Sequence, residues 1–365
     1  MNKKIRIIGA MVLIVLWLGI AVFAWVRPSD DVSTAERRTL AKFPKISWDT
    51  IKNTTFMSDF EDYTLDQFPL RDSFRQLKAL FHKNVMLQKD NNDIYVADGY
   101  AAEMAYPMDE GSLNHALGQF NKVYDLYLKD ADTHIVSTVV PDKSYYLAQE
   151  NGYLSMDYDK LFTAVQEGMP WAEYVDITDC LTIEDYYYTD THWRQERIIP
   201  VAQKLANALQ VTAPAEQDFT VTTLEKPFYG VYYGQAALPM DPETMYIMEN
   251  DLLSSCTVFN YTDGKVAPIY DMSKLSAMDQ YDIYLSGAQS LLRIENPNAA
   301  TDRELIVFRD SYGSSLTPLL VQDYAAVTLV DIRYIMPERL GSFVDFEGCD
   351  VLFMYSSLVL NKNLI

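Results

Sequence analysis

Glu304-Leu305-Ile306-Val307-Phe308-Arg309-Asp310-Ser311-Tyr312-Gly313-Ser314-Ser315 reads as a buried strand that runs into a helix through a tight turn. Leu305 to Phe308 form a short, unbroken apolar run, the pattern of a parallel strand covered on both faces. Beyond the turn, Ser314 or Ser315 is placed to cap a helix. Pro318 falls in its first turn, where a missing N–H costs nothing, and Leu316, Leu319 and Leu320 have helical apolar spacing. A serine at such a junction faces the free N–H groups of a helix start, where a developing oxyanion is stabilised. Ser311 is therefore a candidate nucleophile. Asp-Ser-x-Gly pieces also serve as ordinary Asx turns and caps, so this stretch alone does not separate chemistry from structure.

A nucleophilic serine needs a base to take its proton and a carboxylate to fix the imidazole tautomer. Thr189-Asp190-Thr191-His192-Trp193 offers both. In an extended Asp-x-His segment the two side chains point to one face, which lets Asp190 orient His192. The other three histidines have plainer readings: His82 and His115 as helix-surface or packing residues, and His134 as a structural residue at the start of a strand.

The chain around these motifs alternates helix and strand. Phe56, Phe60 and Tyr63, then Phe74, Leu77 and Phe81, follow helical spacing on either side of the breaker Phe68-Pro69. A helix through Leu113 to Tyr127 precedes a strand from His134 to Val140, and a helix through Leu161 to Gly168 precedes one at Glu173–Ile177. Ile198, Ala202, Leu205 and Leu209 continue as a helix after His192. Strands at Leu305–Phe308, Ala326–Val330 and Val351–Tyr355 complete about five buried strands, hence an α/β doubly wound, mainly parallel sheet. Such sheets bind ligands beyond the carboxyl ends of their strands, where Pro141-Asp142-Lys143, Asp190-Thr191-His192 and Arg309-Asp310-Ser311 all fall. Lys143 and Arg309 are further site candidates, and the plainer reading of each is a solvated strand end. Residues 213–301 interrupt the rhythm with tyrosine-rich, β-prone runs such as Phe228-Tyr229-Gly230-Val231-Tyr232-Tyr233-Gly234. They are expected to form a β-rich insertion whose rings either pack on the sheet or line a groove for sugars.

Hydrophobic residues make up 49% of the 365 positions, enough for a full core, and the net charge of −21 argues against nucleic acid and anionic lipid surfaces as partners. Cys180, Cys256 and Cys349 lack the spacing of a zinc site or disulfide scaffold, so no metal or cofactor is implied. Lys3, Lys4 and Arg6 precede an uncharged run from Ile7 to Val26 that is long enough to span a bilayer. The cationic flank stays inside, so a single-pass protein of the cell membrane with an extracytoplasmic body is expected. Val22-Phe23-Ala24 would also serve as a signal-peptide cleavage site, and either reading exports the body. The expected organisation is an anchor at 1–27, a polar stalk at 28–50 and a body at 51–365 that includes the 213–301 insertion.

Asp190-Thr191-His192-Trp193 followed by Phe308-Arg309-Asp310-Ser311-Tyr312-Gly313 resembles the DHHW family, relatives of the SGNH hydrolase-like proteins that acetylate alginate and other exopolysaccharides. Asp66-Gln67-Phe68-Pro69-Leu70-Arg71, Pro141-Asp142-Lys143 and Asp331-Ile332-Arg333 extend the resemblance over most of the chain after the anchor. One departure is Thr191, which stands where the family's name motif has the first of two histidines. It removes a second histidine as a candidate base. The resemblance implies an SGNH hydrolase-like fold and acyl transfer on a polysaccharide through a Ser311-His192-Asp190 triad. It also implies Arg333, Tyr355 and Tyr312 as substrate-binding candidates and a membrane-bound O-acyltransferase as a partner. Transferase and hydrolase share the same acyl-enzyme, and an inactive glycan-binding or assembly protein on this fold is the alternative.

Overall fold

The computed structural model describes residues 3–362 and 364–365. The chain divides into two compact units: residues up to Asn91 with Ala237–Pro239, and Asn92–Ala236 with Met240–Ile365. The sequence-expected boundary at 50/51 falls inside the first unit.

In the first unit, helix α1 (Lys3–Val26) is long and apolar enough to cross a membrane, and its apolar side chains are exposed. Helices α2 (Thr55–Asp66) and α3 (Arg71–Asn84) follow. They are separated at Leu70, whose left-handed φ of 57° redirects the chain immediately after Pro69. Residues 28–50, read as a stalk, carry a two-stranded antiparallel ladder, Val32–Ser33 with Arg38–Thr39. Side chains tie this segment to α2. Arg38 holds Asp66 through two bonds of 2.8 and 2.5 Å, and the Gln67 amide bonds the backbone of Asp30 and Ala41.

The second unit is built on one eight-stranded sheet. In chain order its strands are β1 (His134–Val140), β2 (Glu173–Tyr174), β3 (Thr257–Asn260), β4 (Lys265–Ala267), β5 (Leu291–Glu295), β6 (Glu304–Arg309), β7 (Ala326–Val330) and β8 (Asp350–Ser356). The spatial order is β4-β3-β5-β7-β6-β8-β1-β2. From β7 to β2 all neighbours are parallel, while β5, β3 and β4 join antiparallel. Because side chains alternate along a strand, each strand feeds two cores. Leu305 and Val307 pack on one face with helix α6 (Ile199–Ala208). Ile306 and Phe308 pack on the other with helices α4 (Glu110–Val123) and α5 (Tyr158–Gly168). Coverage on both faces explains why β6 reads as an unbroken apolar run.

Within residues 213–301, strands β3, β4 and β5 extend the main sheet at one edge, while Thr220–Thr223 and Tyr246–Glu249 pair apart from it. Val258 and Ile294, on β3 and β5, are apolar and buried, so the edge of β7 is covered by strands that share its core. The three cysteines are free.

Candidate active site

Strand β6 ends at Arg309, and helix α7 (Tyr312–Leu316) begins three residues later. Ser311 occupies the cap position, correcting the expectation that Ser314 or Ser315 caps; both lie inside the helix and are buried. Pro318 falls in the following 3₁₀ turn, Thr317–Leu320. Asp310 shapes the junction: one carboxylate oxygen accepts the Tyr312 N–H at 3.0 Å, and the other accepts the Ser356 N–H at the end of β8 at 2.7 Å. The Gly313 N–H is taken by the Asp310 carbonyl at 3.1 Å and the Ser314 N–H by the Ser311 carbonyl at 3.1 Å. Among the described residues, this leaves the Ser311 amide as the donor of the turn with no such acceptor.

The second segment arrives on a loop closed by an antiparallel bridge between Tyr186 and Trp193. Asp190 is fully buried, and its Oδ1 lies 2.6 Å from His192 Nδ1. The same oxygen accepts the His192 backbone N–H at 3.1 Å. The segment is thus an Asx turn rather than an extended strand, and the carboxylate meets the ring by folding back on it. A carboxylate only accepts, so the proton sits on Nδ1 and Nε2 is left as an acceptor. Ser311 Oγ lies 2.7 Å from that Nε2, across 119 residues of chain. This geometry lets a proton pass from serine to imidazole while Asp190 holds the tautomer.

Three contacts that sequence reasoning did not single out hold the imidazole in this position. The Tyr281 ring stacks on it at 3.8 Å with planes 6° apart. The Tyr281 hydroxyl and the Trp193 indole N–H both donate to Ser315 Oγ, at 2.7 and 2.9 Å, joining the His192 loop to α7. Gly230 packs so closely on the loop that a Cβ there would stand 2.2 Å from the Asp190 nitrogen, and the neighbouring Val231 N–H donates to Asp190 Oδ2 at 2.8 Å. The signal in the sequence was the cluster Tyr229-Gly230-Val231, whose glycine marks a close backbone approach.

Lys143 and Arg309, for which a solvated strand end was the plainer reading, are both buried. Lys143 Nζ donates to the Tyr187 and Tyr188 carbonyls at 2.9 and 3.3 Å. From the other side, Glu243 accepts the Thr189 N–H and hydroxyl, each at 2.7 Å. The loop leading to Asp190 is therefore gripped by one buried lysine amine on its carbonyls and one part-buried carboxylate on its amides. Burial drives the Lys143 ammonium down to about 7, against the pull of Glu243, Asp190 and Asp142, and raises the Glu243 carboxyl above its ordinary range. Arg309 donates to the Asp310 and Gly287 carbonyls at 3.3 Å, and burial lowers its pKa although Asp331 opposes this.

Of the remaining candidates, Tyr312 is buried and gives its hydroxyl to the Thr191 carbonyl at 2.6 Å. Tyr355 is buried on β8. Arg333 remains part-exposed and is clamped to Asp331 by bonds of 2.8 and 2.6 Å. In the insertion, Phe228, Tyr232, Tyr281 and Tyr284 are buried, so these rings pack; Tyr229 stays exposed. Among the described residues no cluster of metal-ligating side chains occurs.

Residues 176–330, which contain both Asp190-Thr191-His192 and Ser311, match the model of the family described as DHHW protein. A DHHW family protein from Eubacterium siraeum superposes with a TM-score of 0.61 at 21% identity, covering 75% of this chain and 94% of that one. PatB1 of Bacillus cereus superposes with a TM-score of 0.58 at 17% identity, over 74% and 98% of the two chains. The O-acetyltransferase domain of Pseudomonas putida AlgJ is more distant, with a TM-score of 0.43 at 15% identity over 74% and 92%. No curated protein matches the sequence. Residues 176–330 thus match the DHHW family model, within an α/β fold that the chain shares with the Eubacterium siraeum and PatB1 structures.

Proposed function

We propose that this protein is a membrane-anchored serine acyl-transfer enzyme that moves an acetyl group on or off an extracytoplasmic polysaccharide. The observation that carries the reading is the hydrogen-bonded series from Asp190 to His192 to Ser311, with contacts of 2.6 and 2.7 Å. His192 Nε2 takes the Ser311 proton as Oγ attacks the ester carbonyl. The resulting imidazolium returns that proton to the leaving alkoxide, and an acyl-serine remains. A sugar hydroxyl or water, deprotonated in turn by His192, then attacks the acyl-serine and frees Ser311. The Ser311 amide is one donor to the oxyanion. Arg333, part-exposed and fixed by Asp331, is the substrate-binding candidate with a side chain still within reach of solvent. Lys143, Glu243 and Tyr312 act by positioning the Asp190–His192 loop.

Residues 1–27 serve as the anchor in this reading, with the second unit outside the cytoplasm beside a membrane-bound O-acyltransferase that delivers the acyl group. The likeness to PatB1, which has also been solved with a sulfonyl adduct, fits an activated nucleophile on this fold. Ser311→Ala is expected to abolish turnover of small acetyl esters while leaving the thermal midpoint unchanged, because one side-chain oxygen contributes little stability. In cells, lower polysaccharide acetylation in the variant identifies a transferase and higher acetylation a deacetylase. A wild type with no esterase activity and no effect on acetylation sinks the proposal in favour of an inactive glycan-binding protein.

A further inference from the structure

Helix α3 is amphipathic with its sides reversed. Its charged side turns into the first unit, where Arg71 and Arg75 pair with Glu36 and Arg71 also lies 3.7 Å from Asp66. Its apolar side turns out. Phe74, Leu77 and Phe81 recur at helical spacing and are 46, 62 and 51% exposed. Leu70 before the helix and Val85, Met86 and Leu87 after it continue the exposed stripe. An outward apolar band of this length is not a water-facing surface.

The band is continuous with α1. Pro69, Leu70 and Phe74 share an apolar groove of about 500 Å³ with Val15, Gly19 and Phe23. Those three α1 residues belong to the last twelve positions of the span, roughly 18 Å of helix at 1.5 Å per residue, which runs from about the middle of the bilayer to the body's side. We infer that the segment from Leu70 to Leu87 lies in that leaflet as an interfacial helix, with lipid acyl chains covering Phe74, Leu77 and Phe81. Exposed Lys78 lies beside the stripe, where a long stem can reach back to the headgroups. Lipid is the occupant that continuity with α1 brings to the groove without any further chain, since α1 itself exposes apolar side chains along its length. Such an element fixes the height and tilt of the first unit on the membrane, which a single spanning helix does not.

The inference rests on reading α1 as a span, and the test separates the two. The full chain, with Cys180→Ser as background, is reconstituted into phosphatidylcholine vesicles carrying a nitroxide at Val12→Cys, Leu77→Cys, Phe81→Cys or Lys83→Cys. Collision with oxygen, which concentrates in lipid, is compared with collision with a water-soluble nickel chelate. The expected oxygen-to-nickel ratio at Leu77 and Phe81 approaches that at Val12 and exceeds that at Lys83 severalfold. Ratios at Leu77 and Phe81 equal to that at Lys83, with Val12 in lipid, overturn this inference alone. Labels at both positions shielded from both reagents also overturn it, because a protein surface then covers the stripe. A water-like ratio at Val12 overturns the span and the inference together.

Discussion

Lys143 is an amine held where water cannot solvate its charged form, and its protonation should be visible in stability. Burial lowers its folded-state pKa to about 7 from the ordinary 10.5. For a depressed pKa the linkage runs one way: the stability contribution is fully present above pH 10.5 and is lost as the pH falls toward 7, because only the unfolded chain takes the proton there. The lost stability is on the order of 1 kcal/mol per pH unit in that window. Lys143→Met removes this component, so the thermal midpoint of the wild type should rise relative to that of the variant between pH 7 and pH 10. Parallel pH profiles for the two proteins would show that Lys143 remains charged. Reading Lys143 from its neighbours Pro141 and Asp142 could not reveal this environment. The groups that enclose it, Tyr187, Tyr188, Tyr232 and Glu243, come from segments more than 40 residues away.

At the scale of elements, the proposed site exists because three loops meet: the β6–α7 turn, the Asp190–His192 loop and the Phe228–Val231 segment of the insertion. Gly230 is the point of closest approach, and the atoms its missing Cβ would meet are backbone, which cannot swing aside. Gly230→Ala should therefore displace Asp190 and misalign His192, lowering kcat for acetyl-ester turnover about 100-fold with little change in KM. Gly118→Ala is the matched control, since nothing lies within 4 Å of a Cβ there. It should leave kcat unchanged and raise the thermal midpoint slightly, as alanine favours a helix over glycine. Wild-type kcat in Gly230→Ala would show that the insertion does not brace the triad. How the strands of the insertion pair is not legible in the sequence. They are short, and whether such strands pair with one another or extend an existing sheet depends on which edge is open, here that of β7.

For the whole molecule, the proposal places catalysis on the outer side of the membrane, and topology tests this without reference to chemistry. Protease added to intact cells is expected to degrade the second unit, and added to inside-out vesicles to spare it. The reverse pattern would put the body in the cytoplasm and remove an extracytoplasmic polysaccharide as substrate. The net charge of −21 is consistent with a body that does not adhere to anionic headgroups, so the proposed reading assigns attachment to α1 and to the apolar face of α3.

Local sequence alone determined the elements and the residues from which the proposed site is built. The unbroken apolar run before Ser311 specified a strand covered on both faces, Asp-x-His specified a carboxylate in reach of an imidazole, and the run from Ile7 to Val26 specified a bilayer-length helix. Each is a short-range statement, governed by periodicity, turn chemistry or length within a few residues. Tertiary structure decided which distant groups share a volume. Ser311 meets His192 across 119 positions, Tyr281 stacks on that imidazole across 89, and Glu243 grips the loop 54 residues before it. Burial decided the rest: whether Lys143 and Arg309 face water, and whether the tyrosines of the insertion line a groove or pack. A side chain's charge state and availability depend on the dielectric and partners that the folded chain places around it, which no local window contains.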